Sequence, residues 1–432
     1  MLQVDDQTNN KVYQLLSEVV PGALTMDEKA MIHMCLQSIS FDDCDKDTLL
    51  HCLIPTIYIK RSQDNHQQPL QSLASSVLQG DYYSSLFYRY MTQNHSLGTL
   101  KILLSALQVS YLANTSNQQA PLSACDYFNL LWQQTILHYP LPPKASHMQL
   151  FDETLDTYKQ QVQSAMLSQC LIFNDEQNKA LRSLITAGGK QIRLTLFYHA
   201  LSKRQLKHSE AIAIGVAIEG IHLASLIHDD IIDGANIRRH QQTLHERFNP
   251  FIALHMGNAV FTQSLLILAD IEDREVHRVF GRLFYQMVSG EVKQQANQRN
   301  TDVLLYRYLK VIRDKTALFV ESIMYLAGYL SGYDTYTLMH YRRSGYNIGM
   351  AYQLKDDVID YQSTEEALGK PVLSDQKNGY YTLVRANDGV NQSNRLAHRY
   401  IERALNHLRK LPSEINQREL FFYTTTLYKR TR

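Results

Sequence analysis

The sequence contains little glycine and little proline. It has 18 glycines and 10 prolines among 432 residues, and both shares lie below the usual values of roughly 7% and 5%. All-β proteins rich in tight turns and nucleotide-binding folds with glycine-rich loops depend on these residues. Their scarcity predicts a mostly helical protein, and the length suggests two domains, or one large domain with an attachment.

Neither an excess of one charge nor a cysteine framework is present. Because 43 lysines and arginines nearly balance 42 aspartates and glutamates, no global field attracts nucleic acid or an anionic membrane. The five cysteines are odd in number and form no CxxC pair, which predicts reduced thiols. The N-terminal stretch MLQVDDQTNNK shows neither a signal peptide nor an anchor. We therefore expect a soluble, cytoplasmic protein without nucleic-acid partners.

One apolar stretch approaches the length of a membrane span. It is AIAIGVAIEGIHLASLI, residues 211 to 227, and it contains Glu219 and His222. A helix that is apolar on all sides is either embedded in a membrane or packed on every side by protein. The charged motif HDDIIDGANIRRH follows at once, which favours a buried central helix and predicts no transmembrane segment.

A proline-rich segment divides the chain. HYPLPPKASH has three prolines within four residues, which cannot lie inside a helix. We predict a linker at residues 139–147. Residues 1–138 carry apolar positions at helical spacing, as in LASSVLQGDYYSSLFYRYM, and predict a helical accessory domain. Residues 148–432 contain longer periodic stretches and predict a large helical bundle.

Two short acidic motifs, DDIID and DDVID, repeat within the predicted bundle. On a helix the first and fifth positions lie one turn apart on the same face. Clustered carboxylates repel one another unless a cation gathers them, and hard oxygen ligands suit Mg²⁺. One such motif is more often a solvated acidic face, but two copies, each after an apolar stretch, favour a metal site. Its candidate carboxylates are Asp229, Asp230, Asp233, Asp356, Asp357 and Asp360.

Short local sets of cations and polar residues accompany these motifs. Glycines in GGKQIR and GKP allow a phosphate to approach the backbone, while lysine and arginine contact it. A histidine lies two turns before the first motif and a glutamine one turn before the second, although a histidine in an apolar helix is more often a core residue. The candidate anion-binding residues are Lys190, Arg193, His222, Arg238, Arg239, Lys315, Thr316, Gln353 and Lys370.

The ordered motifs resemble those of the trans-isoprenyl diphosphate synthases. GGKQIR, HLASLIHDDIIDGANIRRHQQTLH, KTA, AYQLKDDVIDY and GKP with a following aspartate match across about residues 165 to 430. The resemblance implies an all-α isoprenoid-synthase bundle that uses Mg²⁺ and joins isopentenyl diphosphate to an allylic diphosphate. It also implies a homodimer, and release of an apolar product suggests peripheral contact with a membrane.

Residue roles follow from the same resemblance, position by position. It implies that isopentenyl diphosphate is held by Lys190, Arg193, His222 and Arg239. It implies that the allylic diphosphate side uses Arg238, Lys315, Thr316, Gln353 and Lys370. Catalysis is assigned to Asp229, Asp230, Asp233, Lys315 and Asp356, and Mg²⁺ to Asp229, Asp233, Asp356, Asp357 and Asp360.

Several positions depart from the family pattern. Gln191 stands where the family usually has arginine, Leu194 where it has proline, His240 where it has glycine, and Asn258 where it has aspartate. Every aspartate of the two motifs remains, so we expect activity. A weak, partner-dependent subunit that binds diphosphates without turnover stays an alternative.

Product length is expected to depend on residues upstream of the first motif. Ala224 and Ser225 are small, which predicts an open channel unless they only serve helix packing. Burial of each five-carbon unit contributes on the order of 4 kcal/mol, so growth continues until a bulky side chain obstructs it.

The first domain adds a second resemblance. Its segment LASSVLQGDYYSSLFYRYM looks like a segment of component one of two-component heptaprenyl diphosphate synthases. This implies a fusion of both components, with farnesyl diphosphate as primer and a heptaprenyl-like product for menaquinone. A short-chain synthase, a class I terpene cyclase and a prenyltransferase acting on peptides or proteins remain alternatives.

Overall fold

The computed structural model describes two N-terminal helices and most of the bundle. The predicted linker at 139–147, His240 and Lys370 lie outside the described residues. Those described are 13–14, 16, 22–26, 28–29, 32, 54, 57–58, 61, 73–93, 97–115, 154–168, 174–202, 206–239, 241–296, 305–362, 381–385, 388–413, 415 and 417–429.

The described residues are overwhelmingly helical, which confirms the all-α prediction. The helices of the first half are α1 Leu73–Gln93, α2 Leu97–Thr115, α3 Leu155–Ser168, α4 Asp175–Ala187, α5 Ile192–Ala200, α6 His208–Asp233, α7 Leu244–Arg247 and α8 Pro250–Leu268. The helices that follow are α9 Arg274–Ala296, α10 Leu305–Ile312, α11 Leu318–Leu330, α12 Thr335–Gln362, α13 Gly389–Leu408 and α14 Gln417–Lys429.

Helix ends follow ordinary capping chemistry. Asn249 caps α8, because its side-chain oxygen accepts a hydrogen bond from the Ile252 amide at 2.8 Å, and Pro250 occupies the first helical position. Helix α6 ends at Gly234, whose φ of 61° is left-handed. A residue with a side chain is strained in that conformation. The stop places the first aspartate motif in the last two turns of α6.

The central apolar stretch is a buried helix of the bundle. Residues 211, 214, 217, 218 and 221 of α6 are all at most 2% exposed. Helices α6 and α8 are long and apolar enough to cross a membrane by length and composition, but most of each such stretch is buried inside the fold. Packing by neighbouring helices therefore accounts for their apolar character.

The N-terminal helices lie directly on the bundle. Helix α1 packs against α9 and α2 packs against α8, while α6 packs against α8 and α12 packs against α11 and α13. Tyr88 of α1 and Leu104 of α2 belong to the same apolar core as Ile218 and Phe280. The two segments on either side of the predicted linker thus share one core, and the domain boundary itself stays a prediction.

Three short irregular elements interrupt the helices of the bundle. A short hairpin after α6 pairs β1 Ile237–Arg238 with β2 Gln241–Gln242 in antiparallel register. A π-helix spans Arg313–Ala317 between α10 and α11, and a 3-10 turn spans Leu383–Arg385. Such π-helical turns frequently occur at functional sites.

Candidate active site

One cavity of about 450 Å³ collects most of the residues predicted from the sequence. It lies between α6, α9, α12 and the π-helix, and α1 closes part of its wall. Three candidates are absent from its lining: Lys190, which is exposed on the loop before α5, Asp230 and Asp360. The candidates that line the cavity are Arg193, His222, Ala224, Ser225, Asp229, Asp233, Arg238, Arg239, Lys315, Thr316, Gln353, Asp356 and Asp357.

The first aspartate motif lies where a helix tolerates acids poorly. Its residues occupy the negative end of the α6 dipole, and the last turn of α6 has no basic residue. Lys315 of the π-helix supplies the missing charge, and its ammonium forms an ion pair with Glu291. Burial alone would lower the pKa of Lys315, but the carboxylates of Glu291, Asp229 and Asp233 raise it. The lysine therefore stays charged beside the motif.

Asp230 is absent from the cavity lining and binds Arg238. The guanidinium Nε donates to its Oδ1 at 2.5 Å. Burial nevertheless raises the pKa of Asp230 to about 6, because desolvation of the carboxylate outweighs the attraction of Arg238. Asp230 thus orients Arg238, a cavity-lining cation, and supports the motif.

We expect Asp230 to make stability depend on pH. Its pKa in the folded protein lies above the ordinary value of 3.8. The contribution of Asp230 to the free energy of unfolding is therefore fully present below about pH 4 and is lost as the pH rises through about 6. At about 1.4 kcal/mol per pKa unit, the loss is at most about 3 kcal/mol. Asp230→Asn should therefore reduce the fall in melting temperature between about pH 4.5 and about pH 7.5, measured without metal. An unchanged fall would contradict the prediction.

The second aspartate motif is held by a chain of hydrogen bonds. Thr316 donates its hydroxyl to Gln353 Oε1 at 2.8 Å, and Gln353 Nε2 donates to Asp357 Oδ1 at 2.9 Å. The other oxygen of Asp357 accepts a hydrogen bond from the Tyr308 hydroxyl at 2.5 Å. Both oxygens of Asp357 thus accept hydrogen bonds from protein side chains, which favours a structural role for Asp357 beside Asp356. Asp356 lines the same cavity, and none of the hydrogen bonds just described involves it.

A half-buried basic cluster formed by Arg193, His222 and Arg239 also lines the cavity. Burial, together with Arg193 and Arg239, holds the pKa of His222 well below its usual range, so His222 is neutral at pH 7. Arg193 stacks over the Phe319 ring at 4.8 Å, and burial lowers its pKa. Arg239 has a left-handed backbone with φ of 51°. Two guanidinium groups and a neutral imidazole can together bind one diphosphate.

Sequence reasoning missed several residues of the site. Glu219 appeared only as evidence against a membrane span, yet its carboxylate interacts with Arg193 and Arg239, and burial raises its pKa. Its position one turn before His222 on α6 was an available signal. Glu291 and Tyr308 had no such signal, since each meets its partner only through tertiary packing.

A residue of α1 also reaches the site. The Asp81 carboxylate lies 2.9 Å from Nδ1 of His228, the residue directly before Asp229. Burial alone would lower the pKa of His228, but the carboxylates of Asp81 and Asp229 raise it. Asp81 and Leu78 both line the cavity.

The oxygen ligands fit Mg²⁺ bound together with a substrate diphosphate. No three His, Cys, Asp or Glu side chains converge as a closed metal site within the described part of the chain. Mg²⁺ at phosphate sites commonly uses one or two carboxylates and completes its shell with phosphate oxygens and water. Asp229, Asp233 and Asp356 open on one cavity in the way that such binding requires.

Three of the four departures from the family pattern lie in the described part of the chain, and none of these three lines the cavity. Gln191 has a left-handed φ of 44° directly before α5, and Leu194 is fully buried. Asn258 is buried in α8 and does not line the cavity.

Comparisons with known proteins identify the family of the bundle. Residues 174–416 match the family model of polyprenyl synthetase. Component 2 of heptaprenyl diphosphate synthase from Geobacillus stearothermophilus is 30% identical over 267 residues, which cover 54% of this chain and 83% of that relative.

Solved structures show the same fold. Heptaprenyl diphosphate synthase from Staphylococcus aureus superposes with a TM-score of 0.62 at 25% identity, covering 65% of this chain and 100% of that one. A Helicobacter pylori geranyltransferase complexed with magnesium and isoprenyl diphosphate has a TM-score of 0.54 at 23% identity, covering 65% of this chain and 99% of that one. This chain therefore belongs to the polyprenyl synthetase family and is a prenyltransferase of the trans-polyprenyl diphosphate synthase class.

Proposed function

We propose that this enzyme elongates farnesyl diphosphate with isopentenyl diphosphate and ends near a heptaprenyl product, used as a menaquinone side chain. The observation that carries the proposal is that both aspartate motifs and the basic cluster open on one cavity that also has an apolar part. The heptaprenyl synthases among its relatives support the product length.

Binding of the allylic diphosphate is assigned to the two aspartate motifs. Asp229, Asp233 and Asp356 would hold Mg²⁺, which neutralises charge on the departing diphosphate when bound. Lys315 stands beside the first motif with a retained positive charge and stabilises the same developing charge. Arg238, oriented by Asp230, adds a second cation.

Isopentenyl diphosphate is assigned to the basic cluster. Arg193 and Arg239 bind its phosphates, and neutral His222 can donate a hydrogen bond without adding charge. The double bond of this substrate attacks the allylic carbon as the bond from that carbon to the diphosphate oxygen breaks, and the released diphosphate accepts the proton that the adduct loses. Buried apolar walls keep water away from the positive charge that develops on the allylic carbon.

The growing tail is assigned to the apolar part of the cavity. Ala224 is 2% exposed and lines it, as do Phe261 and Phe284, whose ring centroids lie 4.1 Å apart. Ser225 also lines the cavity and donates its hydroxyl to the His222 carbonyl at 2.8 Å. Small side chains beside the first motif leave room for a tail, and the phenylalanine pair is a candidate obstruction.

The remaining assignments belong to the same proposal. We infer a homodimer that works in the cytoplasm and touches a membrane peripherally when it releases its product. The balanced charge of the sequence supports the absence of nucleic-acid partners.

Product analysis tests the proposed function directly. The purified full-length chain is incubated with Mg²⁺, farnesyl diphosphate and labelled isopentenyl diphosphate, and the dephosphorylated products are resolved by length. We expect a ladder that ends near seven isoprene units and disappears when EDTA removes the metal. Termination at four units would instead identify a short-chain synthase, whereas no incorporation would contradict the proposal.

A further inference from the structure

Helix α1 lines part of the active-site cavity, although it lies outside the residues that the family model matches. Leu78 and Asp81 lie three residues apart on one face of α1 and both line the cavity. The family match begins only at residue 174. Part of the wall around the reacting groups thus comes from a segment that precedes the matched region by many residues.

The contact between α1 and the first aspartate motif is close and sheltered. Oδ2 of Asp81 lies 2.9 Å from Nδ1 of His228, and the two side chains are 16% and 7% exposed. These residues are 147 positions apart in the chain. His228 directly precedes Asp229 in α6, so a contact that fixes His228 also restricts the position of Asp229.

The His228 ring is confined from its other side by α8. A Cβ atom added at Gly257 would lie only 2.5 Å from His228 Nε2, so the ring packs against the bare backbone of α8 at this glycine. Asp81 holds Nδ1 and α8 limits movement of Nε2. Together they restrict both translation and rotation of the imidazole.

Several contacts other than the Asp81–His228 pair anchor α1. Tyr88 and Met91 are fully buried, the Tyr88 hydroxyl lies 3.3 Å from Nδ1 of His277, and Arg89 stacks over Tyr285 at 4.6 Å. A buried ion pair often contributes no more to stability than apolar side chains of similar size, because desolvation offsets its attraction. An acid facing the cavity is therefore poorly explained by adhesion of α1 alone.

We propose that Asp81 is a positioning residue: by holding His228 it sets the last turns of α6 so that Asp229 faces the diphosphate and its metal. This inference rests on the proposed function. It makes α1 part of the working active site, although Asp81 does not touch the reacting atoms.

Asp81→Asn in the full-length chain tests the link. Outer supports of metal-binding groups typically contribute about 10- to 100-fold to affinity or activity. We expect kcat to fall about tenfold and the Mg²⁺ concentration for half-maximal activity to rise by a similar factor. The KM for isopentenyl diphosphate should stay unchanged, because Arg193, His222 and Arg239 are not part of the link. Asp81→Glu retains the carboxylate and should recover part of the loss.

A matched control is available in the same contact region. Lys101 of α2 forms an ion pair with Asp270 at 2.5 Å, also between an N-terminal helix and the bundle but away from the cavity. Asp270→Asn breaks this pair and should change neither kcat nor the Mg²⁺ requirement. If Asp81→Asn behaves like Asp270→Asn, or if both substrates' KM values rise together with a loss of melting temperature, Asp81 is only structural.

A binding measurement separates this inference from the proposed function. Inorganic diphosphate with Mg²⁺ is titrated into each variant by calorimetry, which requires no product formation. We expect about tenfold weaker binding for Asp81→Asn and for His228→Gln, with no further loss when the two are combined. Equal binding by wild type and both single variants would overturn the inference. A wild-type chain that makes no polyprenyl product would defeat the proposed function but leave this titration decisive for Asp81.

Discussion

Asp229→Asn should abolish most of the turnover while leaving the fold intact. Loss of one preorganised electrostatic group typically reduces kcat by about 10²- to 10³-fold, and we expect at least this for a motif that opens directly on the cavity. The same change removes a negative charge from the C-terminal end of α6, where such charge costs about 0.3–1 kcal/mol. The lost attraction to Lys315 and His228 opposes this gain, so the melting temperature of the metal-free variant should change little.

Steady-state kinetics with farnesyl diphosphate and calorimetric melting check both halves of this expectation. Asp388→Asn is the control, because Asp388 is an acid outside the cavity lining that pairs with Arg395 at 2.9 Å on the surface. It should keep full activity. Near-normal turnover by Asp229→Asn would contradict the assignment of Asp229 to the metal site. A large fall in melting temperature would contradict the expectation that the fold stays intact.

Ala224→Phe should shorten the product by one or more isoprene units. Ala224 is buried, lines the cavity and lies five positions before Asp229 on α6. An aromatic ring at this position would occupy space that a growing tail needs, while the diphosphate sites remain. Overpacking typically costs about 1–3 kcal/mol, so some loss of stability is expected without loss of the first condensation.

A graded series makes this result specific. Valine, leucine and phenylalanine at position 224 should shorten the longest product in that order, as measured by chromatography of the dephosphorylated alcohols. Ala213→Phe is the matched control, since Ala213 is also buried on α6 but does not line the cavity. It should change stability and leave product length alone. An unchanged product from Ala224→Phe would place the end of the channel elsewhere.

Local patterns in the sequence predicted the core of this site. The DDxxD spacing places Asp229 and Asp233 on one helical face, and both line the cavity. The apolar stretch before them predicted a buried helix, because a helix apolar on every side must be packed on every side. Both inferences depend only on residues within a few turns of each other, where helix geometry alone decides which side chains share a face.

The same patterns were less informative about individual roles. Asp357 repeats the position of Asp230 in its motif, yet Gln353 and Tyr308 engage both of its oxygens, whereas Asp230 pairs with Arg238. Lys190 carries the expected charge but is exposed outside the cavity lining. Burial and hydrogen-bond partners decide such roles, and neither is encoded in a motif of a few residues.

By itself, the sequence determined the fold class, the two acidic motifs and the clustering of cations near them, since composition and helical periodicity are local properties. Only the tertiary structure decided that Glu291 meets Lys315 and that Asp81 meets His228 across 147 residues. Those pairs depend on how α1 and α9 pack against the rest of the bundle. Packing of distant segments follows from burial of the whole apolar surface, and no short stretch of chain contains that information.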